Sequence, residues 1–255
     1  MTARSSDRAL AGLLAATPAR LAIGRAGPRL RTHDYLRFVA DHARARDAVF
    51  TEVPRTWVRR LGLVELATRA ATRGQYLHEP RLGQALAPEA QARLARCRQA
   101  PDVQLLVADG LSSAAVVRHG GPLLRAVTRA LVPKRHRLGT PLFVRNARVR
   151  VQDEIGARLH AAVCCLLIGE RPGLATAESL SAYVIYRPTR ASAEPDRTLI
   201  SNIHPNGLPI AAAARRITAL VESCLRHQAS GAALAAAEQT RRPPPSSEPR
   251  PEGAA

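Results

Sequence analysis

The feature that most constrains this chain is the unbroken apolar run Val163-Cys164-Cys165-Leu166-Leu167-Ile168, which stops abruptly at Gly169-Glu170-Arg171-Pro172-Gly173-Leu174. A strand with one wet face would alternate. A run without alternation suits a strand covered on both faces, as in a parallel sheet between two layers of helices. Open α/β sheets bind ligands outside the carboxyl ends of their strands, so Glu170 and Arg171 stand where a large polar ligand would be held. Gly169 and Gly173 let backbone come close to another body, and Pro172 stiffens the turn. The same residues also fit a plain strand–loop corner, with Glu170 and Arg171 solvated or paired with each other.

Elements of the same kind surround the run. Residues 103–108 read as a compact strand ending in Asp109-Gly110-Leu111-Ser112-Ser113, followed by a helix with Leu124, Val127 and Leu131 inside. Residues 141–144 read as a strand, 153–159 as a short helix, and 181–186 as a strand with Tyr183 and Tyr186 on opposite faces. A long helix over 208–227 closes the series, with Ile217, Leu220, Val221 and Cys224 buried. This alternation predicts an α/β, Rossmann-like, mostly parallel sheet with flanking helices over residues 101–235.

Residues 1–100 carry helices but no strand series, and read as an N-terminal helical arm or cap. It holds an amphipathic helix at 6–16, the glycine-bearing loop Gly24–Thr32, and a helix capped by Thr32 with Leu36, Val39 and Ala43 as its buried stripe. A short helix with Trp57 begins at Val53-Pro54, and another covers 88–97. Residues 236–255, dominated by Arg, Pro, Ser and Glu, read as a disordered tail.

The formal charge of +18 is made almost wholly of arginine, since Lys134 is the only lysine. Such a chain attracts nucleic acid non-specifically. The arginines are scattered, though, and aromatics for base stacking are only 3%. A basic nucleic-acid-binding α/β protein is therefore the alternative reading, and no specific nucleic acid is expected. Cys97, Cys164, Cys165 and Cys224 form no C-x-x-C pair, Cys164 and Cys165 would point to opposite faces of one strand, and all four read as small apolar residues in a reducing compartment. No stretch is long and apolar enough to span a bilayer, and the start lacks a secretory apolar region. A cytosolic protein is expected.

The usual catalytic signatures are missing. Nothing matches a phosphate-cradling G-x-x-x-x-G-K-[ST], a nucleophile elbow around Ser112 or Ser113, or an H-E-x-x-H metal site. Asp109 could serve as an acid or base, or as a turn residue capping the next helix; His204 reads as structural. No catalytic residue and no metal ligand is assigned.

Six stretches nevertheless occur together in order: Gly24-Arg25-Ala26-Gly27-Pro28, Asp41-His42-Ala43-Arg44-Ala45-Arg46-Asp47, Val107-Ala108-Asp109-Gly110-Leu111-Ser112, Asp153-Glu154-Ile155-Gly156, Gly169-Glu170-Arg171-Pro172-Gly173-Leu174 and Ser201-Asn202-Ile203-His204. From about Ala19 to Gly231 the chain resembles the small, light subunit of ethanolamine ammonia-lyase. The resemblance implies an adenosylcobalamin enzyme that converts ethanolamine to acetaldehyde and ammonia through a deoxyadenosyl radical. It also implies a division of labour. A large barrel subunit holds ethanolamine, and the small subunit covers the cofactor near its nucleotide tail, which accounts for the missing catalytic signatures.

By the same resemblance the cobalamin contacts fall on Val149, Glu170 and Leu199. The family often has cysteine at the position of Leu199, so that contact survives only if backbone or bulk makes it. With no D-x-H-x-x-G stretch, the cofactor is expected to keep its own benzimidazole on cobalt. A stand-alone cobalamin carrier is a third reading. Some family members carry a longer start that directs them to a bacterial microcompartment; here only a short segment precedes Gly24, and a plain cytosolic enzyme is favoured.

Overall fold

The structure, a computed structural model, describes residues 3–17 and 21–240. In chain order the elements are helix α1 (Ala3–Ala16), strands β1 (Arg25–Ala26) and β2 (Arg29–Leu30), helices α2 (Thr32–Phe50) and α3 (Arg55–Arg60), and strand β3 (Val64–Ala67). Helices α4 (Arg73–His78) and α5 (Pro88–Leu94) precede strand β4 (Val103–Ala108), helices α6 (Ser113–Ala115) and α7 (Gly121–Leu131), and strand β5 (Leu142–Arg145). Helix α8 (Val151–Leu159), strands β6 (Val163–Gly169), β7 (Leu180–Tyr186) and β8 (Arg197–Ile203), and helices α9 (Ile210–His227) and α10 (Gly231–Gln239) complete the chain.

Six strands form one sheet in the order β3-β5-β4-β6-β7-β8. The first four are parallel, while β7 and β8 run antiparallel to their predecessors. The reason lies in the connections. Parallel neighbours need a long crossover, which α6–α7 and α8 supply; the loops before β7 and β8 contain no α-helix, so those strands turn back.

Every residue of β6 is buried, as its apolar run requires. Val163, Cys165 and Leu167 face the layer of α7 and α9, where Trp57 also packs, edge-on to Phe143. Cys164, Leu166 and Ile168 face α5 and α8. The adjacent cysteines therefore point to opposite cores. Burial pushes the Cys165 thiol up to about 12 and raises Cys164 further, so both are neutral, inert packing groups at pH 7.

Several expectations need correction. Residues 64–67, inside the stretch read as a helical arm, form β3 and extend the sheet beyond β5. Strand β8 and helix α10 are additional elements, and α10 runs into the segment read as tail; residues 241–255 lie outside the described residues. Helix α2 begins at Thr32, but Arg31 occupies the cap position without a side-chain hydrogen bond. Its expected buried stripe is exposed: Leu36 is 59% and Val39 43% accessible, whereas Asp41 and Ala48 are buried. Helical spacing identifies an apolar stripe, but it does not say whether this chain or another one covers it.

The acids that open α8 tie neighbouring segments together. Glu154 accepts from the Leu86 amide at 2.8 Å and from Arg158 and Arg190 at 2.9 and 3.2 Å. Asp153 is buried against Arg197, with Arg150 at 3.8 Å. Burial pushes the Asp153 carboxyl up to about 6, against the pull of Arg197 and Arg150. Between about pH 4 and 6 the native chain thus retains a proton that the unfolded chain has released, and this group's stabilisation falls as pH rises through that window. Asp153→Asn is expected to remove this slope. The melting temperature of the parent chain relative to the variant should drop across the window, and parallel pH profiles would contradict the assignment.

Candidate functional site

The chain leaves β4 towards β5 and leaves β6 towards β7, so the two adjacent strands part company at their carboxyl ends. Such a switch point is where α/β sheets open a crevice. Here its floor is closed by two glycines. Gly110 takes φ +58°, the Leu111 amide donates to Gly169 O at 3.0 Å, and a Cβ on Gly169 would lie 2.2 Å from Ser112 O. The body that Gly169 approaches is the β4–α6 loop. Among the described residues Gly173 approaches nothing closely; a Cβ there would meet Thr176 O at 3.7 Å.

Above this floor runs a groove of about 500 Å³. One wall comes from the loop between β5 and α8, which contributes Arg148 and Val149 with Tyr76 behind them; the other comes from Glu170, Arg171 and the strand residues Ser181, Tyr183, Leu199 and Ser201. Tyr183 and Leu199 are direct cross-strand partners. The three residues singled out from the sequence, Val149, Glu170 and Leu199, therefore line one groove although they come from separate parts of the chain. Leu199 is 48% exposed and presents apolar bulk.

Glu170 is held in a fixed pose. Its Oε1 accepts from the Ser181 hydroxyl at 2.5 Å and from the Asn202 amide at 2.8 Å. Among the described residues its Oε2 has no hydrogen-bond partner, so one oxygen is committed to β7 and β8 and the other is left for a donor. Arg171 is exposed, and no ion pair joins it to Glu170 among the described residues.

Asp109 is neither an exposed acid nor the helix cap; Ser112 caps α6 by accepting from the Ala115 amide at 3.1 Å. Asp109 is 3% exposed and reaches sideways to the β5–α8 loop, accepting from the Asn146 and Ala147 amides at 2.7 and 3.1 Å and from Gly110 at 2.9 Å. Burial pushes its carboxyl pKa up, opposed by those amides and by Arg73 at 3.9 Å. Asn146 sits in the left-handed region at φ +54°, and its carbonyl is tied to Thr68 at 2.8 Å. The loop that carries Arg148 and Val149 is thereby bolted in place. Ser112 also donates to Ala177 O at 2.7 Å, and His204 pairs with Asn202 at 2.7 Å; both side chains are engaged structurally.

Sequence reasoning passed over Arg148, Tyr76, Ser181 and Tyr183. Arg148 adjoins Val149, which could have flagged it; Tyr76 lies in a segment with no recognisable pattern.

With this geometry in view, the family model for the ethanolamine ammonia-lyase light chain (EutC) matches residues 7–235. The chain belongs to that family. As a light chain it has a heteromeric large partner, and it is a subunit of a lyase. Among the described residues no helix is long and apolar enough to cross a membrane, and no cluster of His, Cys, Asp and Glu could hold a metal ion. The light chain's groove combines a carboxylate oxygen without a partner among the described residues, a half-buried guanidinium, tyrosines and an exposed leucine. Such a set suits one side of a large amphiphilic ligand that offers amide or hydroxyl donors, an apolar face and an anionic group.

Proposed function

We propose that this light chain covers one side of adenosylcobalamin, near its nucleotide tail, in a complex whose large subunit holds ethanolamine and converts it to acetaldehyde and ammonia. The observation that carries this reading is the convergence of Val149, Glu170 and Leu199 on one groove beyond β4 and β6. The donor set fits the cofactor: Glu170 Oε2 suits a corrin amide or ribose hydroxyl, and Leu199 with Val149 suits the apolar macrocycle. Bulk, not sulfur, is what position 199 offers here. When bound, the cofactor supplies the radical that abstracts hydrogen from the substrate. The light chain's own task is to bind and orient. Asp109, Ser112 and His204, the residues closest in type to acid, nucleophile and base, are held in structural hydrogen bonds.

The apolar side chains exposed on α1 and α2, including Leu13, Leu36, Val39 and Phe50, suit coverage by the large subunit. The chain alone is expected to be poorly soluble and to show no deaminase activity, with co-expression of the large subunit restoring both. Deamination of ethanolamine by the lone chain would overturn the division of labour.

Glu170→Gln tests the groove directly. The glutamine oxygen can keep the bonds from Ser181 and Asn202, while the outward carboxylate oxygen becomes an amide donor. A charge-assisted hydrogen bond contributes about 1.5–3 kcal/mol, so the cobalamin requirement of the assembled complex should rise about ten- to a hundredfold. KM for ethanolamine should barely change. An unchanged cobalamin requirement with intact assembly would reduce Glu170 to a corner of the fold.

A further inference from the structure

We propose that Arg148 is an anion-binding residue that takes the phosphodiester of the cofactor's nucleotide tail. The proposal rests on the cobalamin reading above and adds to it a residue and a chemical group.

The argument begins with charge balance. Four arginines among the described residues are buried or half-buried: Arg73, Arg145, Arg148 and Arg197. Arg73 has Asp109 at 3.9 Å, Arg145 has Glu65 at 2.9 Å, and Arg197 is paired with Asp153. Arg148 alone of these has no carboxylate within ion-pair reach among the described residues. Taking a guanidinium partly out of water without a counter-charge is unfavourable, and a bound anion would relieve that penalty.

The side chain is also held still. Its guanidinium lies 4.1 Å from the centre of the Tyr76 ring, and Nη2 donates to Tyr76 O at 3.0 Å. Its Nε is buried and has no hydrogen bond. The Arg148 amide donates to Gly83 O at 2.8 Å, and the side-chain stem presses on Gly83 so closely that a Cβ there would meet Cγ at 2.9 Å. Asp109 fixes the two residues before it through their amides. The buried Nε cannot reach a ligand in the groove, but Nη1 is not buried and makes no hydrogen bond among the described residues. A rigid, planar fork offering that donor from the wall of a groove is suited to a tetrahedral phosphate oxyanion. Glu170 on the opposite wall supplies an acceptor, so the groove can orient a ligand with an anion at one side and donors at the other.

The same chemistry could come from the nucleotide tail or from free inorganic phosphate, and binding measurements separate the two. The assembled complex is titrated with cobalamin and with cobinamide, which lacks the phosphate, ribose and benzimidazole, following corrinoid absorbance or equilibrium dialysis. Arg148→Met should weaken cobalamin binding about ten- to a hundredfold and leave cobinamide within about twofold. Arg148→Lys, which keeps the charge and loses the fork, should fall between them; it carries the test if the methionine variant does not assemble. Equal weakening of both corrinoids, or of neither, would overturn the assignment. So would protection of the parent complex, but not of Arg148→Met, by inorganic phosphate when cobalamin affinity is unchanged, because the site would then serve free phosphate. Failure of the parent complex to bind either corrinoid would instead sink the cobalamin reading itself.

Discussion

Gly169→Ala is expected to lower the melting temperature of the light chain by roughly 6–12 °C or to prevent folding altogether. The added Cβ would stand 2.2 Å from Ser112 O and 2.5 Å from Asp109 O, both backbone atoms of the β4–α6 loop. No side chain can swing aside, so either β6 or the loop must shift. Overpacking of this kind costs about 3 kcal/mol or more, and each kcal/mol moves the midpoint of a chain this size by about 2–4 °C. Gly173→Ala is the matched control, since its Cβ would meet only ordinary contact with Thr176 O at 3.7 Å. Similar melting temperatures for the two variants would show that the close approach under the groove is not as tight as drawn.

Asp109→Ala should be of comparable size. Truncation leaves three backbone amides, those of Gly110, Asn146 and Ala147, without their acceptor in a buried site, and leaves Arg73 without its nearby carboxylate. Breaking one side of a buried charged network costs about 3–5 kcal/mol. The consequence reaches the groove, because the released loop carries Arg148 and Val149. Thermal unfolding of the variant should show the loss, and cobalamin binding by the assembled complex, measured well below the new midpoint, should also weaken. A loss under about 1 kcal/mol would mean that water replaces the carboxylate easily.

These two positions show what a linear reading could and could not reach. Gly169 was legible as a place of close approach, but the approaching body is the protein's own loop. Asp109 was legible as a residue at a strand end, yet its partners lie 37 and 38 positions away on the neighbouring strand's loop. Sequence pattern carries local geometry; it does not carry which loops a sheet brings side by side. The same limit explains α2. Its stripe of Leu36 and Val39 has the spacing of a buried face, but a heteromeric subunit can keep such a face for its partner.

By itself the sequence determined the doubly covered strand β6, the split of Cys164 and Cys165 between two cores, the mostly parallel α/β sheet and the family. The first three follow from residue type and periodicity along the chain, because burial on two faces demands an unbroken apolar run and a parallel crossover demands a helix. The family followed instead from the resemblance carried by the ordered set of six motifs. The tertiary structure alone decided that β3 joins the sheet, that Glu170 is clamped by β7 and β8, and that Arg148 stands on Tyr76 without an ion pair among the described residues. Those features depend on contacts between residues far apart in the chain, and their energies arise only once the sheet has closed and excluded water from the groups it brings together.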